Sequence, residues 1–124
     1  MIDFNNASFI KLNEVDNKVG LELVGDQLVD GESLMNSFKG IRDMVIFSDK
    51  RIIAINVQGL SGKKKDFTSL PYSKIQAFSV ESAGTFDRDA ELVLWFSGLG
   101  KVKFEFSTSF DIKKFNRLIG SYVL

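Results

Sequence analysis

The chain has 124 residues, 44% of them hydrophobic and 26% charged, with 16 basic side chains balanced by 16 acidic ones. That is the size and composition of one globular domain with one real core, and it excludes wholesale disorder. Cysteine and histidine are both absent, which removes disulfide frameworks, zinc fingers, cysteine nucleophiles and histidine-based acyl-transfer triads.

The N-terminal residues MIDFNNASF lack a basic region followed by an apolar run, so no signal peptide is read there. No stretch approaches the roughly 18 apolar residues of a membrane helix, and a cytoplasmic location is the expectation. The charges are unevenly spread. Residues 1–36 hold two basic and seven acidic side chains, a net −5, whereas residues 37–75 hold eight basic and three acidic, a net +5. Such a split fits either two solvated faces or self-complementary assembly.

No linker, low-complexity tract or repeat interrupts residues 1–124, so a single domain is expected. Phe9, Leu12, Val15, Val19 and Leu23 recur at spacings of three and four. That period predicts an N-terminal helix over about residues 8–25, with Gly25 ending it in the left-handed conformation open to glycine. From Gly31 the rhythm changes. MVIFS, RIIAINV, KDFTSL, the run Tyr72 to Ser82, ELVLWF and KVKFEFS are short, β-branched and aromatic, and glycine-bearing turns separate several of them. About seven antiparallel strands are therefore expected over residues 31–107. In the last run Val102, Phe104 and Phe106 alternate with Lys103 and Glu105, so one face is buried and the other wet. A second helix is expected over about residues 110–123, capped by Ser109 or Asp111. Its apolar stripe is Ile112, Phe115, Leu118, Ile119 and Tyr122, and Phe104, Phe106, Phe115 and Ile119 are expected to share one core.

About seven strands followed by one amphipathic helix is the element order of a pleckstrin-homology-like fold, a mainly β, bent, partly open barrel plugged by the C-terminal helix. The pieces SDKR, QGLSGKK, LPYSKI and ESAGTFDRDAEL occur in that order. From about Asp30 to the C-terminus the chain resembles the bacterial pleckstrin-homology-like family, long known as a domain of unknown function. The resemblance implies no enzyme activity and no cofactor, and it implies assembly into ring-like homo-oligomers. The scaffold itself hosts lipid, peptide and protein ligands alike, so the fold does not settle function.

Four local signals bear on chemistry. In GLSGKKK only Leu60 and Ser61 separate Gly59 from Gly62, whereas a phosphate-binding loop needs four residues there and then opens a helix. The stretch reads instead as a hairpin turn. Lys39 and Arg42, in SFKGIRDMVI, stand where pleckstrin-homology domains place phosphate-binding cations. However, Asp43 adjoins them and Met44 occupies the place of a further arginine. Asp87, Asp89 and Glu91 alternate as a carboxylate cluster, but Arg88 intervenes and no histidine completes a metal site. A solvated turn pairing with lysines is expected. Nucleic-acid binding is disfavoured by a pI near 6.3. The sequence thus points to a self-assembling binding module whose expected partners are its own copies, with another protein or peptide as a further candidate. The alternative is a peripheral membrane module attracting anionic headgroups weakly through Lys39 and Arg42.

Overall fold

In the computed structural model residues 2–4, 7–84, 89–107 and 110–124 are described. The chain forms β1 (Ala7–Val15), α1 (Asn17–Val24), β2 (Leu34–Lys39), β3 (Met44–Ser48) and β4 (Arg51–Gln58). It continues through β5 (Lys64–Pro71), β6 (Ile75–Glu81), β7 (Ala90–Phe96), β8 (Gly100–Phe106) and α2 (Ile112–Val123). The strands make one eight-stranded sheet in the order β5-β4-β3-β2-β1-β8-β7-β6, curled into a half-barrel. Neighbours are antiparallel except β1 and β8, which run parallel.

The eighth strand is the one the helical period concealed. Residues 8–15 of the expected helix belong to β1, and only Asn17–Val24 are α-helical. Phe9 pairs with Phe104 and Leu12 with Phe106, so three residues of β1 oppose two of β8 across a bulge. Lys11 takes up that extra residue at φ 54°. The bulge turns Phe9 and Leu12 to the same buried side, and a strand thereby acquires the three-residue spacing of a helix. Val15 packs into a different cluster from Leu12, as alternation along an extended chain requires.

Asp16 starts α1 by accepting the Lys18 amide at 2.8 Å. The α-helix ends at Val24 with Gly25 as its C-cap, as expected, but not in the left-handed conformation: the φ of Gly25 is −55°, and the chain winds on through a 3-10 turn at Gly25–Gln27. Gly20 is the glycine that matters: a Cβ there would collide with the Ser37 side chain of β2. Its absence lets α1 lie close against the sheet.

The sheet therefore carries apolar packing on both faces. Met44, Ile46, Ile53 and Ile55 cluster with Val24 of α1, while Val45, Phe47, Ile52 and Ala54 turn into the main core. That is why β3 is buried along its whole length. The main core also holds Phe104, Phe106, Phe115 and Ile119 together, as the sequence predicts. α2 is capped by Asp111, whose carboxylate accepts the Lys114 amide at 3.2 Å; Ser109 lies outside the described residues. Ile112, Phe115 and Ile119 are buried, Leu118 is half-buried, and Tyr122 lies at the margin, stacked on Tyr72 at 5.4 Å.

Candidate functional site

The β2–β3 hairpin is closed by the Gly40 amide donating to the Asp43 carbonyl at 2.8 Å. Lys39 sits exposed at the end of β2, opposite Met44 on one side and Asn13 on the other. Arg42, in the turn, donates to the Gly59 carbonyl at 2.6 Å, which fastens this hairpin to the next. The shallow depression beside the turn is lined by Arg42 and Asp43 but not by Lys39. The two cations do not converge on one cup.

Gly59 and Gly62 both take positive φ, 76° and 68°, in the connection between β4 and β5. GLSGKKK is thus a hairpin, as its glycine spacing implies, and no helix follows it. Lys63, Lys64 and Lys65 are exposed, the last two opposite Gln58 and Val57. Leu60 and Ile41 project fully and largely into solvent from the two joined tips.

Of the carboxylate cluster, Asp87 lies outside the described residues. Glu91 is paired with Lys103 at 3.0 Å, a lysine on the neighbouring strand. Glu81, Glu91 and Glu105 stand in register across β6, β7 and β8. Burial, a hydrogen bond with Asp89 and the charges of Asp89 and Glu91 raise the Glu105 carboxyl above its ordinary range, against the pull of Lys103.

Sequence reasoning missed one constellation. Glu32 is buried, and its two oxygens take the Arg51 Nε at 3.0 Å, the Arg51 Nη2 at 3.1 Å, the Val29 amide at 3.1 Å and the Ser48 hydroxyl at 2.5 Å. Burial pushes this carboxyl up, but the bonds from Arg51, Ser48 and Val29 and the Arg51 charge together hold it below its ordinary value. Arg51 also reaches the Gln27 carbonyl and the Ser69 hydroxyl. Tyr72 donates to the Ser48 carbonyl at 2.7 Å, and burial drives its phenol far above the usual value. Two of the four sequence pieces, SDKR and LPYSKI, therefore meet here and serve architecture. The acidic 1–36 and basic 37–75 segments also touch here, through Glu32 and Arg51, so part of the charge split is an internal tie.

The remaining surface of note is the pair of sheet ends. Among the described residues β5 pairs only with β4, and β6 only with β7. Each exposes most of its residues; Leu70 on β5 and Ile75 on β6 are the buried ones.

Residues 3–123 match the bacterial PH domain family. Two Bacillus subtilis (strain 168) proteins are similar over part of their length. YjqA is 51% identical over 71 residues, 57% of this chain and 57% of that protein. YozO is 40% identical over 67 residues, 54% of this chain and 58% of that protein. Among solved structures, a DUF1696 family protein with a pleckstrin-homology domain from Shewanella loihica PV-4 has a TM-score of 0.81 at 38% identity, covering 93% of this chain and 99% of that one. A pleckstrin homology domain from Shewanella amazonensis SB2B has a TM-score of 0.67 at 40% identity, covering 89% and 90%. A PH domain containing protein from Exiguobacterium sibiricum 255-15 has a TM-score of 0.72 at 18% identity, covering 91% and 62%, a likeness of fold alone. With the half-barrel, the plugging helix and a family match along nearly its whole length, the chain belongs to the bacterial PH domain family.

Proposed function

We propose that this chain is a non-enzymatic, cytoplasmic interaction module that assembles with its own copies by joining β5 of one subunit to β6 of the next. The observation that carries this reading is the pair of unpaired sheet ends. A free strand edge presents a row of backbone donors and acceptors that natural proteins cover, blunt or use. Here Pro71 is the only proline available to blunt them. The two edges differ, so a contact between them is head-to-tail and closes into a ring when the rotation permits. Charge favours the same pairing. β5 opens on Lys64 and Lys65, while the β6 side carries the acidic rung of Glu81, Glu91 and Glu105. Electrostatics of this kind guides orientation and encounter more than it supplies affinity.

The outward amides of β5 follow from one bond. The Tyr72 amide donates to the Lys50 carbonyl at 3.3 Å, which sets the parity of the ladder. Counting back in twos, Leu70, Thr68 and Asp66 face β4, while Ser69, Phe67 and Lys65 face outward. Pro71, with no amide hydrogen, falls in the outward set. Lys65→Pro therefore removes an outward donor and no bond within the subunit. Light scattering at micromolar protein should give a multiple of 13.9 kDa for the wild type, with a lower mass for Lys65→Pro. Salt should slow assembly more than dissolve it, because exposed charges are screened over about 8–10 Å. A wild-type mass of one subunit at both low and moderate salt would overturn the proposal.

A second reading, a peripheral membrane module, is favoured by Ile41 and Leu60 projecting from tips that Arg42 ties together, with Lys39 and Lys63 beside them. Clustered lysines near an anionic surface contribute about 1 kcal/mol each. Salt-sensitive pelleting with anionic liposomes, lost in Ile41→Ser/Leu60→Ser, would support it. Edge assembly alone gives no pelleting.

A further inference from the structure

β8 ends at Phe106, whereas its parallel neighbour β1 continues to Val15. α2 begins at Ile112, and a wedge opens between it and the β1–β2 pair. Its volume is about 910 Å³, within the range of small-molecule sites. The inner wall is aromatic: Phe110 lies 5.1 Å from both Phe38 and Phe115. Phe38 and Phe115 are buried, but Phe110 and Leu118 on the wedge remain half-exposed, so the protein leaves apolar surface uncovered there.

Lys114 and Arg117 of α2 line the mouth. Among the described residues neither forms an ion pair. The lining also holds two acids, which balance the two cations in number; the carboxylate of Glu14 is held by the Asn36 side-chain amide at 2.7 Å, and that of Asp111 is turned to the first turn of α2, where it caps the helix. Long cationic side chains can lay their stems along apolar surface and keep their heads at its edge. Both cations are exposed, so their attraction for an anion is modest and acts together with apolar contact at the wall.

We infer that this wedge binds a small amphipathic anion, an acyl chain or ring against Phe110 and Leu118 with a carboxylate or phosphate head between Lys114 and Arg117. The backbone argues against an extended peptide adding to β1. The Leu12 carbonyl is taken by the Ser107 amide, and the Asp16 carbonyl by the Val19 amide. The bond from the Gly40 amide to the Asp43 carbonyl directs Phe38 toward β3 and its neighbours Ser37 and Lys39 toward β1. Asn13 and Val15 are therefore committed to β2, and Glu14 is the one residue whose peptide groups face the wedge. A single residue is too short a platform for strand addition. The inference is independent of edge assembly, since β5 and β6 do not line the wedge.

Isothermal titration with decanoate, decyl phosphate and decyltrimethylammonium tests it. Both anions should bind with a Kd below about 1 mM and better than the cation, and their order identifies the preferred head. The exposed pair Lys114→Glu/Arg117→Glu should melt like the wild type, weaken decanoate about tenfold or more, and reverse the preference toward the cation. No binding of either anion up to about 1 mM, equal binding of anion and cation, or unchanged decanoate affinity in the folded double variant would overturn the inference.

Discussion

Phe115→Ala removes the ring through which α2 closes the half-barrel. Phe115 is 3% exposed, and its centroid lies 4.7 Å from Phe47, 5.1 Å from Phe110, 5.9 Å from Phe106 and 6.0 Å from Phe38. All four contacts are edge-on, the geometry that ring quadrupoles favour, each adding about 0.5–1.5 kcal/mol beyond simple burial. Phenylalanine-to-alanine changes in cores cost about 3–5 kcal/mol. Four partners on four segments of chain cannot all move to fill the void, so the upper half of that range applies. Against a total stability of about 5–15 kcal/mol, the melting temperature should fall by roughly 10–20 °C, followed by circular dichroism. Tyr122→Ala is the matched control on the same helix. At 39% exposure with one stacking partner, it should cost about 1 kcal/mol. A Phe115→Ala melting point within a few degrees of the wild type, or equal to that of Tyr122→Ala, would refute the packing of α2.

Glu32→Gln should destabilise the protein at pH 7 by about 1–3 kcal/mol, since Arg51 loses its anion inside the structure. The folded Glu32 carboxyl lies below its ordinary 4.5, so its contribution is complete above that value and fades as the pH falls further. Urea titrations should therefore show the gap between wild type and variant narrowing below about pH 4.5; an equal gap at pH 3 and pH 7 would count against the ion pair. Replacing Lys63, Lys64 and Lys65 together by Ser should change stability by less than about 1 kcal/mol, and neither ATP nor GTP should give heat on titration with the wild type; micromolar binding lost in the triple variant would contradict the hairpin assignment. Gly20→Ala, which favours an isolated helix by about 1 kcal/mol, should instead destabilise here by about 1–3 kcal/mol through collision with Ser37. A stabilised Gly20→Ala would show that α1 does not lie close on β2.

The elements most legible in the sequence are those with one pattern and one environment. β8 has a wet face and a dry face and reads cleanly as a strand; α2 has a single apolar stripe and one capping aspartate. β1 was concealed because its bulge places Phe9 and Leu12 on one side at a helical spacing, a register effect that depends on β8, nearly a hundred residues away. The mechanism at Gly25 was likewise hidden, since nothing local distinguishes a helix that stops from one that tightens into a 3-10 turn. The hairpin nature of GLSGKKK followed from glycine spacing alone. The Glu32–Arg51 clamp did not, because its members stand 19 residues apart and no local period links them. Lys39 and Arg42 stand three positions apart in sequence, yet the turn between them directs Arg42 to Gly59 and leaves Lys39 apart.

Residue-resolved amide exchange along β5, at a protein concentration in the micromolar range, tests edge-to-edge assembly most directly. The amides of Asp66, Thr68 and Leu70 bond to β4 and are protected whatever the assembly state. Those of Lys65, Phe67 and Ser69 face away from the subunit and are protected only when a neighbouring strand accepts them. Assembly through β5 predicts slow exchange at both sets in the wild type, with the outward set becoming fast in Lys65→Pro. Fast exchange at Phe67 and Ser69 in the wild type, beside slow exchange at Thr68 and Leu70, would contradict it.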